Sequence, residues 1–168
     1  QQFIPNYLDE IIDGNLNCLN SIAEVNHEVP LFNGSIELGL GEYFSYLKRL
    51  NYISKKKIDL IGGIKKLKIK RNTIFVDIGS PPPRQFSSYY QSGPLSFEYF
   101  VDDQKIITNC GFGSSISKKG ELLSRLTSAQ STLCLNDYSV VQFERNKLIN
   151  DAFGTSIKNK FNIYDVNI

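Results

Sequence analysis

Tyr89, Tyr90 and Gln91 lie in the stretch SSYYQSGPLSFEYF, residues 87 to 100, just ahead of an alternating strand pattern. A tyrosine ring stacks on a sugar face, and glutamine or asparagine hydrogen-bonds hydroxyl groups. A phenol is also a base, but with a pKa of about 10 it needs a cationic neighbour. Arg84 and Arg125 are candidates for that neighbour. The bland alternative is that both tyrosines only pack the loop against a sheet. Groups that more often carry chemistry are scarce. His27, the single histidine, stands between Asn26 and Glu28 and reads as an exposed or lightly hydrogen-bonded residue. Cys18, Cys110 and Cys134 are scattered without CxxC spacing, so neither a disulfide framework nor a structural zinc pattern is present. Cys110 and Cys134 lie in strand-like segments with no histidine nearby in sequence and read as core thiols. Glu98 reads as an outward-facing strand acid, and Asp137 as a turn residue.

The elements that must position these residues fall into two regimes. Up to about Tyr52 the apolar residues follow a helical period. Ile36, Leu40, Phe44, Leu47 and Leu50 predict a helix over 36–51, capped by Ser35 and weakened by Gly39 and Gly41. A shorter helix is predicted over NYLDEII, with Pro5 near its first turn and Gly14 after its end. From about Ile64 the period becomes 2. IKKLKIK and TIFVDI read as one hairpin. LSFEYFV and KIITNC, joined by DDQ, read as a second. STLCLND and YSVVQFE read as a third. Leu95, Phe97, Tyr99 and Val101 are taken as the buried set, against Ser96, Glu98 and Phe100. Two long connections remain, GSPPPRQFSSYYQSG and GFGSSISKKGELLSRLTSAQ, the latter with one helical turn at ELLSRL. Such connections are often functional.

With 168 residues, 41% apolar and 12% aromatic, the chain can bury one core. A net charge of +2 is too mild to imply a nucleic-acid partner. The lysines from Lys55 to Lys70 read as a solvated face, those of the first strand pointing to solvent and guarding an edge. No apolar run approaches the roughly 20 residues of a membrane span. The start, QQFIPNYLDEIIDG, is acidic and has no basic leader. The lack of methionine suggests an excised piece of something longer.

FVDIGSPPP, GPLSFEYFVDDQKIITNCGFG and SRLTSAQSTLCLND together resemble the heparinase II/III-like family. The match is to the segment where the family's α/α toroid gives way to its C-terminal β-sandwich. EVPLFNGS, residues 28 to 35, resembles the end of the toroid in the bacterial branch. The resemblance implies a mainly-β fold, an antiparallel sandwich portion over 58–168 preceded by a helical toroid segment over 1–57. It implies more toroid before residue 1, and a sheet whose apolar face is covered by the N-terminal helices, the remainder of a longer polypeptide or a second copy. It places the chain in a bacterium, in periplasm or cytoplasm.

Lyases of this family cleave uronic-acid polysaccharides by β-elimination. A base removes the C5 proton while the uronate carboxylate is neutralised. Metal-binding members hold zinc through histidines. The family pattern His-x-His-x-Asp falls here on Tyr89, Gln91 and Gly93. Its acidic metal position falls on Asn109, and a further histidine position on Gln130. Amide oxygens are poor zinc ligands, so no metal or cofactor is expected. The resemblance leaves Tyr89 as the candidate catalytic residue and Tyr90, Gln91, Asn109 and Gln130 as candidate substrate-binding residues, brought together at the sheet's end. The implied partner is an acidic polysaccharide. The alternatives are a non-catalytic glycan-binding or structural domain, or a nucleic-acid or anion binder using the strand from Lys65 to Arg71.

Overall fold

The structure, a computed structural model, describes residues 5–52, 56–136, 138–141, 143–145 and 155–157. Helix α1 spans Asn6–Ile22, entered from Pro5. It does not stop at Gly14. Leu8, Ile12, Leu16 and Leu19 keep one apolar stripe running past that residue, and a Cβ on Gly14 would meet nothing within 4 Å. The stripe offsets a glycine penalty of about 1 kcal/mol. Helix α2 spans Gly41–Arg49 and is shorter than expected. The preceding residues instead return to the 25–28 loop, through a bridge between Glu28 and Gly39 and a hydrogen bond from Leu40 N to the His27 carbonyl, 2.9 Å.

The centre is a five-stranded antiparallel sheet in sequential order: β1 (Leu60–Ile61), β2 (Ile64–Ile69), β3 (Asn72–Asp77), β4 (Phe97–Val101) and β5 (Gln104–Ile107). The first two expected hairpins are present. The third is not formed as expected: Leu135 and Tyr138 make one isolated bridge, and Phe143–Arg145 (β6) pairs instead with Thr155–Ile157 (β7). Local side chains take the backbone groups a ladder would need. Thr127 Oγ1 accepts from Val140 N at 2.9 Å, and Ser92 Oγ from Val141 N at 2.8 Å. Helix α3 covers Lys118–Ser124, where a helical turn was expected. Within the expected third pair, Asp137 and Gln142 lie outside the described residues, as does most of the chain after Arg145.

Register fixes which residues share a face. Lys66 pairs with Phe75, Phe75 with Glu98, Thr73 with Phe100, and Phe100 with Lys105. This face is the buried one. Phe75 and Phe100 meet edge-on at 5.9 Å and pack against Val25 and Phe32 of the loop after α1. The sequence reading had the faces reversed. Ser96, Glu98 and Phe100 are buried, whereas Leu95, expected in the core, is 66% exposed. Leu95 has φ 59°, so the chain turns there and β4 begins two residues later. Lys66 is likewise buried, not solvated. Its Nζ lies 2.8 Å from Glu24 just beyond α1, while Leu67 and Ile69 face outward. The N-terminal segment therefore covers the face that carries Glu98, not the one that carries Tyr99.

Candidate functional site

The site forms where the loop after β3 returns into β4. Gln91 is 1% exposed. Its Oε1 accepts from Gly34 N at 3.0 Å, and its Nε2 donates to the Gly111 and Ser124 carbonyls, both at 2.8 Å. Gln130 donates to the same Ser124 carbonyl at 2.7 Å, and its Nε2 lies 3.6 Å from the Cys110 sulfur. Gly93 closes the group: a Cβ there would stand 2.9 Å from Gln130 Cγ and 3.0 Å from Ser96 Oγ. The Gln130 side chain thus occupies the volume a larger residue at 93 would need.

Asn109 joins through its neighbour. Its Oδ1 accepts from Ser131 N at 2.9 Å and from Ser131 Oγ at 3.0 Å. Its backbone N donates to Glu98 Oε1 at 3.1 Å, which also accepts from Thr108 Oγ1 at 2.7 Å. Asn109 Nδ2 is buried without a hydrogen-bond partner. Glu98 is fully buried, and its Oε2 stands 3.8 Å from Lys105 Nζ. Sequence reasoning placed Glu98 on the surface; a carboxylate buried among these donors orders the Asn109 backbone from below.

The two tyrosines part company. Tyr90 is buried with Val141, and burial together with the Asp77 carboxylate pushes its phenol well above the ordinary range. Tyr90, expected to meet substrate, is 4% exposed. Tyr89 is 64% exposed, with its ring edge-on to Phe112 at 5.5 Å. Its backbone is held against Gly34, where a Cβ would meet Tyr89 Cβ at 2.8 Å and its carbonyl at 3.1 Å. That contact and a φ of 94° both select glycine at position 34. Arg125 fixes the loop from within. Fully buried, it donates from Nε to the Tyr90 carbonyl at 2.9 Å and from its terminal nitrogen to the Ser87 carbonyl at 2.8 Å. Burial pushes its guanidinium down to about 10. Spacing named Arg125 only as a possible cation; nothing local predicts that it brackets Tyr89 through backbone carbonyls. On the outer side, Gln130 borders a cleft of about 860 Å³ walled by Leu95, Phe97, Leu133, Leu135 and Tyr138.

Residues 60–164 match the family described as Heparinase II/III-like, C-terminal. The chain belongs to that family. Its fold is similar to a heparinase III solved with methylated lysines, at 16% identity and a TM-score of 0.53, covering 82% of this chain and 25% of that one. A second heparinase III crystal structure aligns at 10% identity and a TM-score of 0.47, over 82% of this chain and 28% of that one. The chain thus spans about a quarter of the length of the solved structures it matches. No curated protein matches it.

In this heparinase II/III-like domain the zinc implied by the family resemblance does not fit the residues present. The Gln91 amide is committed to Gly34, Gly111 and Ser124, and the Asn109 oxygen to Ser131. Neutral amides held by these hydrogen bonds supply no charge to a cation and are poor zinc ligands. Among the described residues no three His, Cys, Asp or Glu side chains group closely enough to hold a metal ion. No helix among them is long and apolar enough to cross a membrane. Cys110 and Cys134, expected as core thiols, are exposed; partial desolvation of the Cys110 sulfur raises its thiol pKa, against a smaller opposing effect of Gln130.

Proposed function

We propose that this domain binds a uronic-acid-containing polysaccharide, with Tyr89 as the stacking surface. The observation that carries the reading is the exposed Tyr89 ring on a rigid support of Phe112, Gly34 and Arg125. An aromatic ring held in place loses little entropy when a sugar stacks on it. Gln91 and Asn109 serve beneath the surface, where their amides tie the 31–35, 109–111 and 124–131 segments together. Tyr90 anchors the loop from inside.

Elimination is the second reading, with Tyr89 as the proton-abstracting base. The Arg125 guanidinium, committed to the Ser87 and Tyr90 carbonyls, favours binding over catalysis. One experiment separates the two. The protein is incubated with heparan-type, alginate-type and other uronate polymers while retention of polymer and ultraviolet absorbance of unsaturated uronates are followed. Retention without new absorbance is expected. Absorbance that grows with time and disappears in Tyr89→Phe would replace binding with elimination, and neither signal on any polymer would refute both.

A further inference from the structure

A second polar cluster lies away from Tyr89, between the end of α1 and strand β2. Glu24 receives three ammonium groups: Lys57 Nζ at 2.8 Å and Lys68 Nζ at 2.7 Å on Oε1, and Lys66 Nζ at 2.8 Å on Oε2. Lys66 is buried and also reaches the Ser21 carbonyl at 3.4 Å, so its charge is absorbed inside the fold. Lys57 and Lys68 are different. Their side chains are 76% and 46% exposed, yet both point to one oxygen atom. Their nitrogens are therefore no further apart than twice a hydrogen-bond length. Three positive charges meet one negative charge, which leaves a local excess of two. Each exposed ammonium has three N–H donors and gives one to Glu24. Beside Lys57 opens a cleft of about 400 Å³ lined by Asn20, Ser21, Glu24, His27 and Lys56.

The Glu24 carboxylate lies between the two exposed ammonium groups but carries one negative charge against three positive ones, so the pair keeps a net positive charge and N–H donors beyond those given to Glu24. We propose that Lys57 and Lys68 form a binding site for one oxyanion, a sulfate or carboxylate carried on the acidic polysaccharide. The carrier rests on the polysaccharide reading above; the oxyanion site rests on the lysine geometry alone. Glu24 orients the two ammonium groups and limits the strength of the site. The trio was not visible in the sequence, where the lysines of β2 read as a solvated run; the partner that gathers them, Glu24, lies more than 30 residues earlier.

The first test is a titration of labelled protein with sodium sulfate against sodium chloride at equal ionic strength, followed by amide NMR. Saturable shifts are expected at Lys57 and Lys68, lost in Lys57→Gln/Lys68→Gln and kept in Lys48→Gln/Lys119→Gln. Shifts that never saturate, or that survive in the first double variant, overturn the site. Glu24→Gln is expected to tighten sulfate binding, because it removes the competing carboxylate; should that variant fail to fold, the lysine variants still decide. The second test uses a sulfated uronate hexasaccharide, whose affinity is expected to fall about fivefold in Lys57→Gln/Lys68→Gln. Equal affinity in that variant removes the glycan from this site while leaving the Tyr89 reading intact. Saturable sulfate binding with no hexasaccharide binding, or with equal binding of a single-stranded oligonucleotide, overturns the glycan as carrier.

Discussion

The two faces of the central sheet carry opposite kinds of residue, and not in the expected way. The buried face holds Lys66, Thr73, Asp77, Ser96 and Glu98 beside Phe75 and Phe100. The outer face holds Leu67 at 48% exposure and Ile69 at 71%, next to Leu95 and Ile107. The ionisable groups on the buried face have partners: Lys66 has Glu24, Asp77 has Asn33, and Glu98 has Thr108, Asn109 and Lys105. Period 2 separates the faces of a strand, but says nothing about which face meets the rest of the chain.

The comparison predicts unequal costs. Phe75→Ala, at the centre of the buried face, is expected to lower stability by about 4 kcal/mol in urea unfolding. A loss below about 1 kcal/mol would mean that this face is not the core. Glu98→Ala follows. It leaves the buried Asn109 backbone N–H and the Thr108 hydroxyl without their acceptor, at a cost of about 3 kcal/mol. A neutral result would show that the carboxylate is not buried as described.

Glu24 gives a pH dependence. Burial pushes its carboxyl up, but hydrogen bonds from Lys57, Lys66 and Lys68 outweigh that and hold it at about 2, against an ordinary value of 4.5. A depressed folded pKa stabilises fully above the unfolded value and is lost as pH falls from there towards 2. Asp77 works the other way. Burial raises its pKa against the hydrogen bonds of Asn33 and Gly79, so its contribution weakens as pH rises past the ordinary 3.8. Stability measured from pH 5 to pH 2 should therefore fall less steeply in Glu24→Gln than in the parent chain. Parallel curves would remove the lysine cluster from the account. The smallest effect is expected on the outer face: Ile69→Thr should change stability by no more than about 0.5 kcal/mol, and a loss near that of Phe75→Ala would erase the difference between the faces.

Some of this was legible in the residues. The hairpin of β2 and β3 and that of β4 and β5 follow from alternation broken by turn residues, and both hold a non-glycine left-handed residue at the turn, Lys70 and Asp102. The face assignment was not legible, because LSFEYFV carries aromatic residues at both parities. The third hairpin failed because Thr127 and Ser92, far off in sequence, take the amides of 140 and 141. The site was legible by resemblance more than by chemistry. Gln91, Gly93 and Gln130 are unremarkable alone, and only the family pattern pointed to one location. Arg125 and Glu98 were beyond reach, since their roles depend on carbonyls and amides that the fold brings to them.

The central claim is that a rigidly held Tyr89 binds a uronate polysaccharide while the amides beneath it hold the loop. The direct measurement is the equilibrium affinity of the parent chain and of Tyr89→Ala for the uronate polymer that the parent retains, with thermal unfolding of both recorded. The account predicts about a tenfold loss of affinity with an unchanged unfolding midpoint, as expected when an exposed aromatic anchor is removed. Equal affinity in the two proteins would contradict it.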